Sequence, residues 1–207
     1  MLQRFRAFWT KVFSGPADAL LRLGVTPDQV TIVGTVGVVA GALWFFPRGH
    51  LLTGVLVITA FVFSDLMDGY MARKTGQTSN WGAFLDSTMD RFGDAAIFGG
   101  LLLYYAGPHA ETTLGEPKLY VYLCLACLVF GSITSYVRAR AESLGMTAKV
   151  GIAERAERLV AILVMTGFNG IFGMPILTEI TLWALLAASA ITVVQRIIVV
   201  RRQAISA

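Results

Sequence analysis

A chain of 207 residues, 56% of them hydrophobic and only 14% charged, with a mean hydropathy of +0.67, is not an ordinary soluble domain. Its charged residues cluster between long apolar runs, which is the pattern of a polytopic helical membrane protein. The net charge of +4 is no argument for a nucleic-acid partner, because membrane topology accounts better for where the basic residues fall.

In chain order, the opening MLQRFRAFWTKVF interleaves Leu2, Phe5, Phe8, Trp9, Val12 and Phe13 with Arg4, Arg6 and Lys11. This predicts an amphipathic helix lying on the cytoplasmic membrane surface. It lacks the short apolar core and small-residue cleavage site of a signal peptide. Ser14-Gly15-Pro16 breaks it, and a short second helix is expected over 17–23. We therefore divide the chain into a juxtamembrane segment, 1–23, and one helical membrane domain, 24–207. Thr26-Pro27-Asp28 is a helix start, with a capping side chain and a proline suited to the first turn.

Six membrane spans are predicted, at about 28–47, 51–73, 82–106, 118–141, 154–173 and 176–200. Each is long enough for a ~30 Å hydrocarbon core, some by tilting or by projecting a polar end beyond it. Gly34, Gly37 and Gly41 on the first span suggest close helix approach within the bundle. Cys124 and Cys127 lie in an apolar span without further Cys or His partners nearby, so packing is their expected role.

The basic residues set the orientation. The N-terminus, the second and fourth turns and the C-terminus hold Arg4, Arg6, Lys11, Arg22, Arg73, Lys74, Arg138, Arg140, Lys149, Arg155, Arg158, Arg196, Arg201 and Arg202. The other side holds Arg48 and Lys118. By the positive-inside rule both termini are expected in the cytoplasm, in a cell-membrane protein.

One stretch stands apart: DLMDGYMARKTGQTSNWGAFLDSTMD, residues 65–90, joins two strongly apolar segments. An ionisable group at membrane depth costs about 2.5–3.5 kcal/mol on insertion scales, so acids there mark a functional site. Asp65, Asp68, Ala72 and Arg73 share one helix face, and Gly82, Asp86 and Asp90 form a second stripe at intervals of four. Two antiparallel helices meeting along these stripes would surround a small volume with carboxylates. Hard divalent cations are held that way, and Mg²⁺ favours a few carboxylates completed by phosphate oxygens.

Asp65-x-x-Asp68-Gly69-x-x-Ala72-Arg73, eight residues, then Gly82-x-x-x-Asp86-x-x-x-Asp90 matches position for position the signature of the CDP-alcohol phosphotransferase family, which this chain resembles throughout. That family transfers a phospho-alcohol from a CDP-linked donor to an acceptor hydroxyl and releases CMP. The resemblance implies an all-α integral membrane enzyme with six spans, working as a homodimer. It implies Mg²⁺, as two ions with Mn²⁺ as a substitute, on Asp65, Asp68 and Asp86. Asp90 is implied both near the metal and as the base that takes the acceptor's proton. Gly69, lacking a side chain, lets the nucleotide approach the backbone, and Arg73 is suited to phosphate oxygens. Ser79 in the turn offers a hydroxyl to the donor, and the family's use of the first span's start adds Asp28 and Thr31. Asp94, just past the motif, is expected to support or cap rather than to act directly.

For the acceptor, Arg138, Arg155 and Arg196 are expected at the cytoplasmic mouth as an anion cradle, since guanidinium groups grip phosphate in a bidentate fork. The plainer reading makes these arginines topology signals and ion-pair partners of Glu154 and Glu157. The segments Ser135–Glu142 and Ile152–Arg158 resemble the actinobacterial branch of the family that joins CDP-diacylglycerol to inositol 1-phosphate. The alternative within the family is glycerol 3-phosphate as acceptor, giving phosphatidylglycerol phosphate. From another class, a divalent-cation transporter would spread its acids along a path across the membrane. Here they are confined to one end, among arginines that repel cations and welcome phosphates.

Overall fold

A computed structural model describes residues 14–76 and 78–206, except for the side chain of Asp65. The expected amphipathic segment 1–13 lies outside the described residues. The helices are α1 (14–22), α2 (Pro27–Phe45), α3 (Leu51–Val62), α4 (Ser64–Thr75), α5 (Asn80–Ala106), α6 (Pro117–Ser143), α7 (Arg155–Phe172) and α8 (Pro175–Ser206). No strand occurs among the described residues.

These helices follow the predicted spans closely, with one correction. The second span, expected as one helix over 51–73, divides at Phe63 into α3 and α4. At the division Leu66 N–H bonds the Phe63 carbonyl in a tight turn, and the Ser64 hydroxyl donates to the Phe61 carbonyl at 2.7 Å. A serine that bonds back into the ladder at such a point bends a helix.

By length and composition α2 with its 3₁₀ extension, α3 together with α4, α6 and α8 are long and apolar enough to cross a membrane. Val33 and Val36 on α2, Leu125 and Val129 on α6, and Ile180 and Trp183 on α8 are all exposed, as lipid-facing side chains of a membrane protein should be. α5 falls outside this group because Asp86, Asp90, Arg91 and Asp94 lie along it as far as its middle, and α7 because Arg155, Glu157 and Arg158 occupy its first turn.

The chain forms two compact units, one of Met1–Gly41 with Leu56–Gly93 and one of Ala42–Val55 with Asp94–Ala207. In the first, Ala17, Val30 and Met71 make a small core that joins α1, α2 and α4. Gly34 and Gly37 carry α2 against Ser64 and Phe61, where a Cβ would lie 1.8 and 2.3 Å from those side chains. The glycines thus serve packing inside the bundle, as expected. Lys74 on α4 pairs with Asp18 on α1 at 2.6 Å, and the bond from its ammonium holds the Asp18 carboxyl below its usual value.

In the second unit α6 and α7 both pack on α8. Cys124 and Cys127 are free and buried there, as packing predicts. Close approach again uses glycine: a Cβ on Gly170 of α7 would lie 2.6 Å from the Leu52 backbone nitrogen. Because the obstacle is backbone, Gly170→Ala is expected to destabilise the fold by about 1–3 kcal/mol. A lowered thermal midpoint in detergent, with Gly99→Ala as the control whose Cβ meets nothing within 4 Å, checks this.

Candidate active site

In the first unit a cavity of ≈ 330 Å³ opens where α2 and α5 begin, beside α4. Pro27, Asp28 and Thr31 line it from the first turns of α2, and Asp68, Gly69, Ala72 and Arg73 from α4. Thr78, Ser79, Gly82, Ala83 and Asp86 complete it around the start of α5. Seven of the predicted site residues, Asp28, Thr31, Asp68, Gly69, Arg73, Ser79 and Asp86, therefore line this one cavity.

Local structure explains how several are held. Asp68 is buried at 7% exposure and accepts a 2.5 Å hydrogen bond from the Thr31 hydroxyl, which fixes the carboxylate. Ser79 caps α5, its Oγ accepting the Gly82 N–H at 3.0 Å. Asp28 accepts from the Trp81 indole N–H at 2.9 Å. Gly69 leaves room for the Arg73 guanidinium, whose Nη1 would stand 3.3 Å from a Cβ there. Two helix N-termini edge the cavity, each with backbone N–H groups and the positive end of its dipole. With Arg73, these groups are of a kind that suits phosphate, and carboxylates border them.

Asp65 and Asp90 stand differently. Asp65 lies on the first turn of α4, with its side chain outside the description. Asp90, one turn along α5 from Asp86, is not in the cavity lining, and its Oδ2 lies 3.8 Å from Arg91 Nη2. Among the described side chains, which omit that of Asp65, no three acidic, His or Cys groups come close enough to hold a metal ion. The donor set still suits Mg²⁺ or Mn²⁺: Asp68 and Asp86 bring two carboxylates to the same cavity, and Mg²⁺ usually takes one or two carboxylates plus substrate phosphates.

Arg138, Arg155 and Arg196 belong to the second unit. Arg138 pairs with Glu142 at 3.1 Å on the exposed side of α6. Arg155 donates from Nε to Asp94 at 2.9 Å. Arg196, only 3% exposed, donates from Nε to the Val150 carbonyl at 2.9 Å and from Nη1 to the Thr134 carbonyl at 2.6 Å. Part of its donor capacity is thus committed to the backbone. Glu154 and Glu157 form a capping box at the start of α7, so their first task is to cap that helix.

Sequence reasoning missed Trp81 and Thr78 in the first unit. Asp94 was expected only to support or cap, with no partner named. A motif shows which residues carry the chemistry; it does not show which side chains hold them in place.

Residues 24–204 match the CDP-alcohol phosphatidyltransferase family. The chain belongs to that family. This phosphatidyltransferase is 54% identical over 209 residues to the phosphatidylinositol phosphate synthase of Cutibacterium acnes, covering 98% of both chains. It is 50% identical over 214 residues to that of Streptomyces avermitilis, covering 100% of this chain and 85% of the relative. Among solved structures, the Mycobacterium tuberculosis phosphatidylinositol phosphate synthase with CDP-DAG bound is similar, with 41% identity and a TM-score of 0.85 over 92% of this chain and 94% of that one. The same enzyme in complex with manganese and citrate gives a TM-score of 0.83 at 41% identity, over 90% and 87% of the two chains.

Proposed function

We propose that this phosphatidyltransferase moves the phosphatidyl group of CDP-diacylglycerol to inositol 1-phosphate, giving phosphatidylinositol phosphate and CMP. The observation that carries the reading is the 54% identity over 98% of both chains with a phosphatidylinositol phosphate synthase. The cavity lined by Asp68, Gly69, Arg73 and Asp86 between two helix starts supports it, being built for a diphosphate.

Asp65, Asp68, Asp86 and Asp90 would hold the divalent cations, Mg²⁺ or Mn²⁺, and the manganese in the related solved structure supports a metal here. Bound metal would neutralise the diphosphate and polarise the phosphorus under attack. Arg73 and the backbone N–H groups at the start of α5 pair with phosphate oxygens, while Asp28, Thr31 and Ser79 orient the donor. Asp90 takes the proton from the acceptor hydroxyl as the new P–O bond forms and the bond to CMP breaks. Arg138, Arg155 and Arg196 hold the acceptor's phosphate.

The chain crosses the membrane six times, adding α5 and α7 to the four apolar spans. Both termini and the site face the cytoplasm, which the asymmetry of Lys and Arg supports. Residues 1–23 form the juxtamembrane segment and 24–207 the membrane domain, and the working form is a homodimer.

The test is CMP release by the purified full chain with CDP-diacylglycerol and Mg²⁺, offering inositol 1-phosphate, glycerol 3-phosphate or free inositol separately. Turnover with inositol 1-phosphate alone is expected. Turnover with glycerol 3-phosphate instead would move the chain to the other branch of the family. Arg155→Ala is expected to raise the KM for inositol 1-phosphate by about tenfold or more while leaving that for the donor within about twofold.

A further inference from the structure

The two helix starts that edge the cavity are tied to each other by one side-chain bond. The Trp81 indole N–H, in the first turn of α5, donates to Asp28 Oδ2, in the first turn of α2, at 2.9 Å. The Asp28 side chain makes no other hydrogen bond among the described residues. Asp28 also lines a second cavity of ≈ 430 Å³, which shares Pro27, Thr78 and Ser79 with the first.

Both residues have plainer tasks available, and the structure assigns those tasks elsewhere or leaves the bond unexplained by them. An acid in a first helical turn commonly serves its own helix as a cap. At α2 that work is done by a reciprocal pair: Thr26 Oγ1 accepts the Gln29 N–H at 3.3 Å, and Gln29 Oε1 accepts the Thr26 N–H at 2.9 Å. The Asp28 carboxylate instead reaches across to α5. An exposed aromatic ring at a membrane surface commonly serves as an anchor. Trp81, 59% exposed, lies beside the equally exposed Phe84 with ring centroids 5.9 Å apart. Anchoring needs the ring but not its N–H, and the N–H is what meets the cavity residue.

A carboxylate only accepts hydrogen bonds, and like charge keeps it from a diphosphate. In a CDP-linked donor its partner is therefore an O–H or N–H of the nucleoside. A charge-assisted bond to Oδ2 sets the plane of the carboxylate and leaves Oδ1 to accept. Without that bond the side chain turns freely, and ordering it opposes binding.

We infer that Trp81 is a positioning residue for the donor: its indole N–H fixes the Asp28 carboxylate so that Oδ1 meets a hydroxyl or amine of the nucleoside. This rests on the reading that Asp28 orients the donor. Trp81 is the last of the eight residues that the signature leaves unspecified between Arg73 and Gly82, so the task lies outside the signature.

The experiment is a double-mutant cycle on the full chain with Trp81→Phe, Asp28→Ala and both, varying CDP-diacylglycerol and inositol 1-phosphate in turn. Phe keeps an aromatic ring beside Phe84 and loses only the N–H. Trp81→Phe is expected to raise the donor KM about tenfold, with kcat, acceptor KM and thermal midpoint little changed. Binding of CMP to the same variant with Mg²⁺, followed by calorimetry, should weaken by about the same factor. The double variant should match Asp28→Ala alone, because two residues acting through one contact do not add. Full additivity, or a fall in kcat with unchanged donor KM, would overturn the inference. Should Asp28→Ala leave the donor KM normal, the reading of Asp28 falls and the inference with it. A raised KM in Asp28→Ala but not in Trp81→Phe rejects the positioning role alone. Phe84→Ala removes the neighbouring ring and is expected to keep the donor KM within about twofold. A rise there equal to that of Trp81→Phe would make both rings membrane anchors and overturn the inference. Trp81→Leu, which also lacks the N–H, replaces the Phe variant should that one not fold, with the same expected KM, and a normal KM overturns the inference.

Discussion

Replacing Asp68 with Asn is expected to lower CMP release by at least about 10³-fold, or ~4 kcal/mol of transition-state stabilisation, while the protein stays folded. The asparagine has the same shape, and its amide oxygen can still accept the Thr31 hydroxyl that now bonds Asp68 at 2.5 Å. What it loses is the charge. An amide oxygen is a poor substitute for a carboxylate on a divalent cation, and the metal's share of the catalysis depends on that charge. Steady-state CMP release over a range of Mg²⁺ concentrations, with a thermal midpoint measured alongside, separates the two effects. Full activity at ordinary Mg²⁺ would remove Asp68 from the metal set.

The second large effect is on stability. Glu179 on α8 is fully buried, and its two oxygens accept the backbone N–H groups of Thr113 and Leu114 at 2.7 and 2.9 Å. The Tyr120 hydroxyl in turn donates to the Leu114 carbonyl. The loop between α5 and α6 is thus tied down by one carboxylate. Gln has the volume but only one acceptor oxygen, so its NH₂ must confront one of the two N–H groups. Glu179→Gln is expected to cost about 1–3 kcal/mol for the donor left unsatisfied. Thermal unfolding in detergent should show the lowered midpoint, with the acceptor KM unchanged. An unchanged midpoint would mean that the loop does not depend on this carboxylate.

The helix boundaries were legible because they coincide with chemical breaks. Pro27, Pro117 and Pro175 start α2, α6 and α8, and Gly173 ends α7 in a left-handed turn. The cavity was legible for another reason: the signature spaces its residues so that helix periodicity brings Asp68, Gly69 and Arg73 toward one side of α4. Three other features left no such trace. The division at Phe63 accompanies a serine bonding back to Phe61, and Ser132 on α6 bonds back to Leu128 without dividing its helix. Trp81 meets Asp28 across 53 positions, and no local pattern encodes that pairing. Glu179 looks like a misplaced acid in a span until the loop it holds is known.

The segment leading into α7 is fastened to α8 along its length. Thr192 Oγ1 accepts the N–H groups of Ile152 and Ala153, each at 3.2 Å. Arg196 holds the Val150 carbonyl, and Gln203 bonds Thr147 through both the N–H at 2.9 Å and the carbonyl at 2.6 Å. Gly151, at φ +142°, passes so near Thr192 that a Cβ would lie 2.4 Å from its methyl carbon. Riveted in this way, the connection cannot serve as a hinge. Any rearrangement that carries Arg155 toward a ligand must take the first turn of α7 and the end of α8 together as one lever, with its pivot elsewhere.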